Sequence, residues 1–189
     1  MRIIAGEFRG RKLLGPESDQ TTRPITDRAK QSLFDVITPL LDGAVIYDCF
    51  CGTGSMGLES LSRGAKFSVF FDRDRSAIKR LGENIETLGV KDRSRVVAGD
   101  IFKWFERSKG PPAEAGLADL VFLDPPYRLV TEQSGAIQKL FASIQAHHLS
   151  VDGRIIFRHD TPELLVPDGF TRYDQRTYGN MTIDLLKRS

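Results

Sequence analysis

Two short stretches of this 189-residue chain combine residue types and spacings that can do chemistry. The first is Tyr47-Asp48-Cys49-Phe50-Cys51-Gly52-Thr53-Gly54-Ser55-Met56-Gly57. Gly52, Gly54 and Gly57 fall at G-x-G-x-x-G spacing, which permits a tight turn and lets a ligand approach backbone at a helix N-terminus. Asp72 lies twenty residues beyond Gly52, at the spacing of an acid that accepts hydrogen bonds from ribose hydroxyls. Together they specify a nucleotide or nucleoside site, and by spacing alone a nicotinamide-dependent oxidoreductase fits. The plainer alternative is a strand-to-helix turn with Asp72 capping a strand end.

The second stretch, Leu123-Asp124-Pro125-Pro126-Tyr127, discriminates between these chemistries. Two consecutive prolines have no N–H and a fixed φ, so they hold a rigid turn whose carbonyls are left to accept hydrogen bonds. Asp124 adds an acceptor and Tyr127 a ring that can stack on a base. Such a set suits one task, which is to grip a planar amino group by its hydrogens. The lone pair of an exocyclic amine is delocalised into its ring, and acceptors on its N–H groups, in line with an electrophilic methyl, favour the geometry of attack. Hydride transfer has no use for this arrangement.

These residues need a scaffold that brings them to one edge, and the chain supplies its pattern. Residues 44–47, 67–71, 95–97 and 120–123 are short apolar strand segments. They alternate with helical segments running to Arg63, over 76–88 and over 101–107, which is the βαβ signature of a parallel sheet. Ligands in such sheets sit beyond the carboxyl ends of strands, so both motifs face one pocket. A helix over 136–146, a strand at 154–157 and two last strands near 170–176 and 181–186 complete the series. Before it, residues 1–14 suggest a hairpin around Gly6-Glu7-Phe8-Arg9-Gly10, followed by a loop to about Pro24. A helix then starts at Thr26 or Asp27, with Ala29, Leu33, Val36, Ile37, Leu40 and Leu41 on its apolar face, and Gly43 ends it. Residues 109–116 form a surface linker.

Composition agrees with a folded, water-exposed body: 40% hydrophobic and 28% charged residues, with a net charge of +2. A chain this long can bury about 70% of the surface its unfolded form exposes, so it needs no metal or disulfide staple. No apolar run approaches the roughly 20 residues of a membrane span, and the start lacks a signal peptide's pattern. The expectation is a cytoplasmic protein without a membrane partner. Cys49 and Cys51, one residue apart, are too close to staple a fold and too few for a zinc site, so they read as small apolar fillers with no metal. Residues 1–34 hold seven basic side chains (Arg2, Arg9, Arg11, Lys12, Arg23, Arg28, Lys30) against four acidic ones, concentrating positive charge there. A phosphate-backbone contact needs such a segment, although on charge alone a solvated charged face is the favoured reading.

Asp-Pro-Pro-Tyr after the fourth strand, with Asp48-Cys49-Phe50-Cys51-Gly52-Thr53-Gly54 after the first, resembles class I S-adenosylmethionine-dependent amino-methyltransferases. Arg2-Ile3-Ile4-Ala5-Gly6, Phe8-Arg9-Gly10-Arg11-Lys12-Leu13, Thr22-Arg23-Pro24-Ile25-Thr26-Asp27-Arg28 and Gly57-Leu58-Glu59-Ser60-Leu61-Ser62-Arg63-Gly64-Ala65 narrow the resemblance to the RsmD-type methyltransferases of bacterial small-subunit ribosomal RNA. Cys51 departs from a usual alanine, and Tyr178-Gly179-Asn180 departs in its third residue.

The resemblance implies a doubly wound α/β fold, with a mostly parallel seven-stranded Rossmann-like sheet, an antiparallel final strand and an N-terminal β-hairpin and helix. One domain spans 1–189, with the extension over 1–42 and the catalytic sheet over 43–189. It implies methylation of the N2 amino group of one guanine in 16S rRNA, on an assembled or nearly assembled small subunit, by a monomer. Asp48 and the turn through Phe50, Gly52 and Gly54 would hold the methionine part of S-adenosylmethionine. Asp72 with Arg73 would hold its ribose, and Asp100 with Ile101 its adenine. Asp124 and Pro125, with Pro126, would orient the guanine amine and Tyr127 would stack on the base. Asp100 also fits a helix cap.

Arg9, Arg11, Lys12, Arg23 and Arg28 become expected rRNA backbone contacts, which position a substrate without reading its sequence. Residues 128–134 form either a lid over the base or an ordinary surface loop. His147, His148 and His159 lack ligand partners, and Trp104 with Phe105 should pack a short helix on the sheet. The rivals are an amino-methyltransferase of this fold acting on adenine N6 in DNA or a glutamine amide, a nicotinamide oxidoreductase, and a non-catalytic RNA-binding module.

Overall fold

The computed structural model describes residues 1–16, 25–161, 164 and 166–189; Arg23 and the Thr22-Arg23-Pro24 stretch lie outside the described residues. The first helix, α1 (Asp27–Ile37), is capped by the Thr26 hydroxyl, which accepts from the Ala29 N–H. It stops before the expected Gly43. Pro39 has no N–H to continue the ladder, and the chain tightens into a single 3₁₀ turn at Thr38–Leu40. The alternation then follows as β1 (Val45–Cys49), α2 (Ser55–Ser62), β2 (Phe67–Asp72), α3 (Arg75–Leu88), β3 (Ser94–Ala98), α4 (Ile101–Arg107) and β4 (Ala118–Leu123). After it come α5 (Tyr127–Glu132), α6 (Ser134–His147), β5 (Leu149–His159), β6 (Phe170–Tyr178) and β7 (Met181–Arg188). The segment past the proline motif, expected as a lid or surface loop, is helical: Leu129 and Val130 of α5 bury their side chains.

The strands form one seven-stranded sheet in the order β3-β2-β1-β4-β5-β7-β6. β1 pairs parallel with β2 and β4, β2 with β3, and β4 with β5, whereas β7 runs antiparallel to β5 and β6. The register sets Cys49 beside Phe71 on one side and Leu123 on the other, so three strands run out together at the carboxyl edge. Between β1 and β4 the winding reverses, which opens a crevice there. Helices cover both faces. Leu33 and Phe34 of α1, Leu58 of α2 and Leu81 of α3 pack on one side with Phe70 and Phe122. Ile101 and Phe105 of α4 and Phe141 of α6 pack on the other with Phe71 and Phe157.

α2 lies unusually close to the sheet. A Cβ on Gly57 would stand 2.4 Å from Phe70 Cε1 and 2.5 Å from Ser68 Oγ, both on buried side chains of β2. Gly57→Ala is therefore expected to destabilise the protein by about 1–3 kcal/mol through overpacking, read as a lower urea midpoint with an unchanged slope. An unshifted midpoint would show that α2 can move outward freely.

The N-terminal segment does not form the expected hairpin of strands. One antiparallel bridge, Arg2 to Lys12, joins its arms, and the tip is irregular, with Gly6 and Gly10 in left-handed conformations. Backbone bonds do cross between the arms, from Ile3 N–H to the Arg11 carbonyl (3.0 Å), Gly10 N–H to the Ile3 carbonyl (2.9 Å) and Leu13 N–H to the Met1 carbonyl (3.0 Å), but donors between Ile3 and Phe8 turn to α2 instead of extending the pairing. Ile4 and Ala5 donate their N–H groups to Glu59 of α2 (2.8 and 3.0 Å), and Glu7 donates to the Ser62 carbonyl (2.7 Å). Glu59 is fully buried and also meets Lys30 Nζ of α1 at 3.0 Å and Arg63 Nε at 2.8 Å. Lys30 in turn donates to the Arg2 carbonyl (2.9 Å). One carboxylate thus ties the N-terminal segment, α1 and α2 together.

Candidate active site

Where β1 ends, the chain must turn sharply to start α2. Phe50 adopts φ +61°, a conformation L-residues rarely hold, and Gly52 and Gly54 follow at +54° and +85°. The turn is tied down by hydrogen bonds within the protein. Gly52 N–H donates to Asp72 Oδ2 (2.7 Å), Gly54 N–H to the Cys51 carbonyl (2.8 Å), and Gly57 N–H to Asp48 Oδ2 (2.8 Å). Three amides of the turn and helix start are thus engaged within the protein and not presented to a pyrophosphate. Asp48 is buried, and its pKa is raised well above the usual carboxylate range by that burial, against the Gly57 hydrogen bond and with help from Asp124 and Asp72. Three carboxylates therefore share this edge closely enough to feel one another.

Asp72 also accepts from Asp74 N–H at 2.9 Å, so both its oxygens already hold the turn; each retains a second lone pair. Its neighbour Arg73 is exposed. Asp100 caps α4 by accepting from Lys103 N–H at 3.2 Å, and Ile101 behind it is buried. Gly99, Asp100, Ile101 and Trp104 line a groove of about 470 Å³ along the edge of β3. The Phe50 ring meets Phe102 of α4 edge-on at 5.9 Å, joining turn and groove.

The proline motif enters the same edge. Asp124 N–H donates to the Cys49 carbonyl at 3.3 Å, which fixes the motif directly beside the glycine turn. Pro125 is buried, and Pro126 caps α5 with its carbonyl accepting from Leu129 N–H at 2.8 Å; of the two proline carbonyls, that of Pro126 is thus committed to the helix. Tyr127 opens α5 half-buried, and burial raises its pKa. Asp124 lies on the α1 side of the sheet, over a small cavity of about 20 Å³ bordered by Ile25, Leu33, Met56 and Phe122. These apolar surroundings account for its titration. Desolvation raises the Asp124 pKa to about 6, against the opposing pull of Arg158.

Arg158 is the site residue that sequence reasoning missed. Its Nε sits 2.7 Å from Asp124 Oδ1, and its guanidinium carbon lies 5.8 Å from the centroid of the Tyr127 ring. The signal was present in Ile155-Ile156-Phe157-Arg158, a cation at the end of an apolar run, but its relevance depends on β5 pairing with β4. Leu123 stands opposite Phe157, which brings the next residues of the two strands side by side.

The structure separates the basic residues expected to meet RNA. Lys12 is bridged to Arg2, whose side chain pairs with Asp27 at the start of α1, and Arg28 is exposed on the first turn of that helix. Arg9 and Arg11 belong to the tip held at Ser62, the last residue of α2, roughly 10 Å along the helix from the glycine turn. The tip therefore lies towards the opposite edge of the sheet from Asp124.

The histidines have structural partners. His148 is buried in an aromatic cluster with Trp104 and Phe105, its Nε2 3.2 Å from the Ser108 carbonyl. His159 meets Asp184 of β7 at 3.2 Å. Trp104 and Phe105 pack α4 on Phe71 as expected. Cys49 and Cys51 are buried free thiols, and burial pushes both pKa values up, away from reactive thiolate. Among the described residues no helix is long and apolar enough to cross a membrane, and no group of three or more metal-ligating side chains converges.

The chain is similar over its whole length to known proteins. The chain is 31% identical to Ribosomal RNA small subunit methyltransferase D of Escherichia coli (strain K12), over all of this chain and 90% of that one. It is 35% identical to the YlbH protein of Bacillus subtilis (strain 168), over 100% and 99% of the two chains. Among solved structures, the yhhF protein of Escherichia coli superposes with a TM-score of 0.83 at 29% identity, covering 100% of this chain and 98% of that one. A Thermus protein, TTHA0928, gives 0.77 at 26% identity, covering 99% of each. The family described as Conserved hypothetical protein 95 matches residues 1–187. The chain belongs to this family, the RsmD-type class I methyltransferases.

Proposed function

We propose that the protein methylates the exocyclic N2 amino group of a guanine in 16S rRNA, within the small ribosomal subunit, using S-adenosylmethionine. The observation that carries the reading is the Asp124 N–H to Cys49 carbonyl bond, which sets an amine-gripping motif against a glycine turn at a carboxylate-rich edge. The substrate class follows from the relatives, which are named as small-subunit rRNA methyltransferases. The site also fits the cofactor on its own features. Asp72 and Asp124 offer carboxylate oxygens to a ligand carrying positive sulfonium and ammonium groups, and the turn's three engaged amides disfavour a dinucleotide's pyrophosphate. A Cβ on Gly52 would meet nothing within 4 Å, so the turn is open on that side.

When bound, S-adenosylmethionine supplies an electrophilic methyl whose leaving group departs as a neutral thioether. Asp48 and the turn at Gly52 and Gly54 would hold its methionine part, Asp72 its ribose, and Asp100 with Ile101 its adenine in the β3 groove. Asp124 accepts a hydrogen bond from the guanine amine, with the Pro125 carbonyl as the second acceptor, and the carboxylate takes the proton that the nitrogen releases as it gains the methyl. Tyr127 stacks on a base that has been turned out of its helix. Lys12 and Arg28 contact the RNA backbone near the site, while Arg9 and Arg11 meet a segment further along the subunit surface.

The test offers radiolabelled S-adenosylmethionine with undermethylated small subunits, free 16S rRNA, DNA and bulk protein. Label is expected in 16S rRNA of the subunits, mapping by nuclease digestion and mass spectrometry to N2 of a guanine. Transfer to adenine or protein, or calorimetric binding of NAD in place of S-adenosylmethionine, would overturn the reading.

A further inference from the structure

Arg158 contacts two residues of the amine-gripping motif. It pairs with Asp124 through Nε and Oδ1 at 2.7 Å and lies 5.8 Å from the Tyr127 ring centroid. Its side chain is 11% exposed and that of Asp124 28%, so this is no surface pair averaged away by water. The arginine is itself anchored. Its neighbours Ile156 and Phe157 are buried, and the next residue, His159, is pinned to Asp184, which also accepts from Arg172 and Gln175. Charged groups near the pair come from several elements. Asp48 of β1 feels both Asp124 and Asp72 of β2, and Asp160 bears on Tyr127 of α5. The faces of α1 and α2 turned to Asp124 are apolar, with Leu33 and Met56. Arg158 is thus the cation set against a carboxylate that its surroundings push towards neutrality.

We propose that Arg158 is the positioning residue of this site: it holds Asp124 by Oδ1 as a carboxylate, leaving Oδ2 to accept the amine hydrogen, and backs the Tyr127 ring against which the base stacks. The proposal rests on reading Asp124 as the acceptor for the reacting amine. Without the guanidinium, the carboxyl takes a proton at higher pH, rotates, and offers a donor where an acceptor is required. A lysine can restore the charge but not the flat fork that fixes the carboxylate's orientation.

The test is a pH profile of single-turnover methyl transfer to small subunits for wild type, Arg158→Gln and Arg158→Lys, with thermal melts alongside. Wild-type rate should fall as pH drops through about 6, where Asp124 titrates. Arg158→Gln should move that acid limb up by about one to three pH units, the span typical of losing a close opposite charge. Its rate at neutral pH should fall at least about tenfold while affinity for S-adenosylmethionine stays unchanged. Arg158→Lys should return the limb to near its wild-type place with the rate only partly restored. A folded Arg158→Gln with an unmoved limb would overturn the proposal, as would an Arg158→Lys of full rate if the glutamine variant does not fold. A second measurement needs no substrate: the carboxyl carbon of Asp124, followed by NMR titration, should protonate at higher pH in the variant. If wild type transfers no methyl to the subunit, the assigned substrate fails, and this titration still decides the role of Arg158. Equal titration in both proteins would sink it.

Discussion

Asp124→Asn should lower the single-turnover rate of methyl transfer by about 10²–10³-fold at saturating cofactor, the usual loss when one preorganised polar contact to a reacting group is removed. The substitution keeps the shape but replaces a full carboxylate with an amide, half of which donates. It therefore presents N–H groups to a nitrogen that must be held by its own hydrogens. It also removes the site at about pH 6 to which the nitrogen's proton can pass. Affinity for S-adenosylmethionine, measured by calorimetry, should change no more than a few-fold, because the residues assigned to the cofactor lie at or just past the ends of β1, β2 and β3 rather than β4. Since Arg158 Nε loses a charged partner 2.7 Å away, a small fall in melting temperature should accompany the kinetic defect. A variant that binds cofactor, folds and transfers methyl at the normal rate would remove Asp124 from the chemistry.

Glu59→Ala should be the most destabilising single substitution in the N-terminal region, by about 3–5 kcal/mol, the range for breaking a buried ion pair from one side. It strands Lys30, whose side chain is 1% exposed, and deprives the Ile4 and Ala5 N–H groups of their acceptor. For a chain of this size the loss corresponds to a melting temperature lower by roughly 10 °C. Glu59→Gln keeps one acceptor oxygen and should lose less. Because Glu59 joins the N-terminal segment to both helices, proteolysis near residues 1–16 should accelerate in parallel with the fall in stability. A shift below about 1 kcal/mol would mean that the segment docks by apolar contacts, through Ile3 and Leu13, rather than through this carboxylate.

The expected and observed elements agree best where local pattern alone decides. The strand segments at 67–71 and 120–123 reappear within β2 and β4, and α4 has the expected bounds, because apolar runs followed by a capping aspartate act over a few residues. They agree least where distant groups compete. Residues 1–14 carry hairpin-like residues and a few bonds between their arms, yet the pairing does not extend to strands, and Ile4, Ala5 and Glu7 donate to Glu59 and Ser62 of α2. Residues 128–134 look like surface loop because they are short and partly polar. Residues 128–132 belong to α5 instead, with Leu129 and Val130 buried and Val130 in the core on the α4 and α6 side of the sheet.

The site divides in the same way. The glycine spacing, Asp72 and Asp-Pro-Pro-Tyr are consecutive or regularly spaced residues, and their types alone implied a ligand turn and an amine-binding acceptor at strand ends. The tertiary structure decided that the glycine amides are engaged by Asp72 and Asp48, that Arg158 stands against Asp124, and that Arg9 sits towards the other edge. Each of these depends on which strands pair and how closely a helix approaches the sheet. That outcome is set by side chains far apart in the chain competing for buried space and hydrogen-bond partners, and no window of sequence contains it.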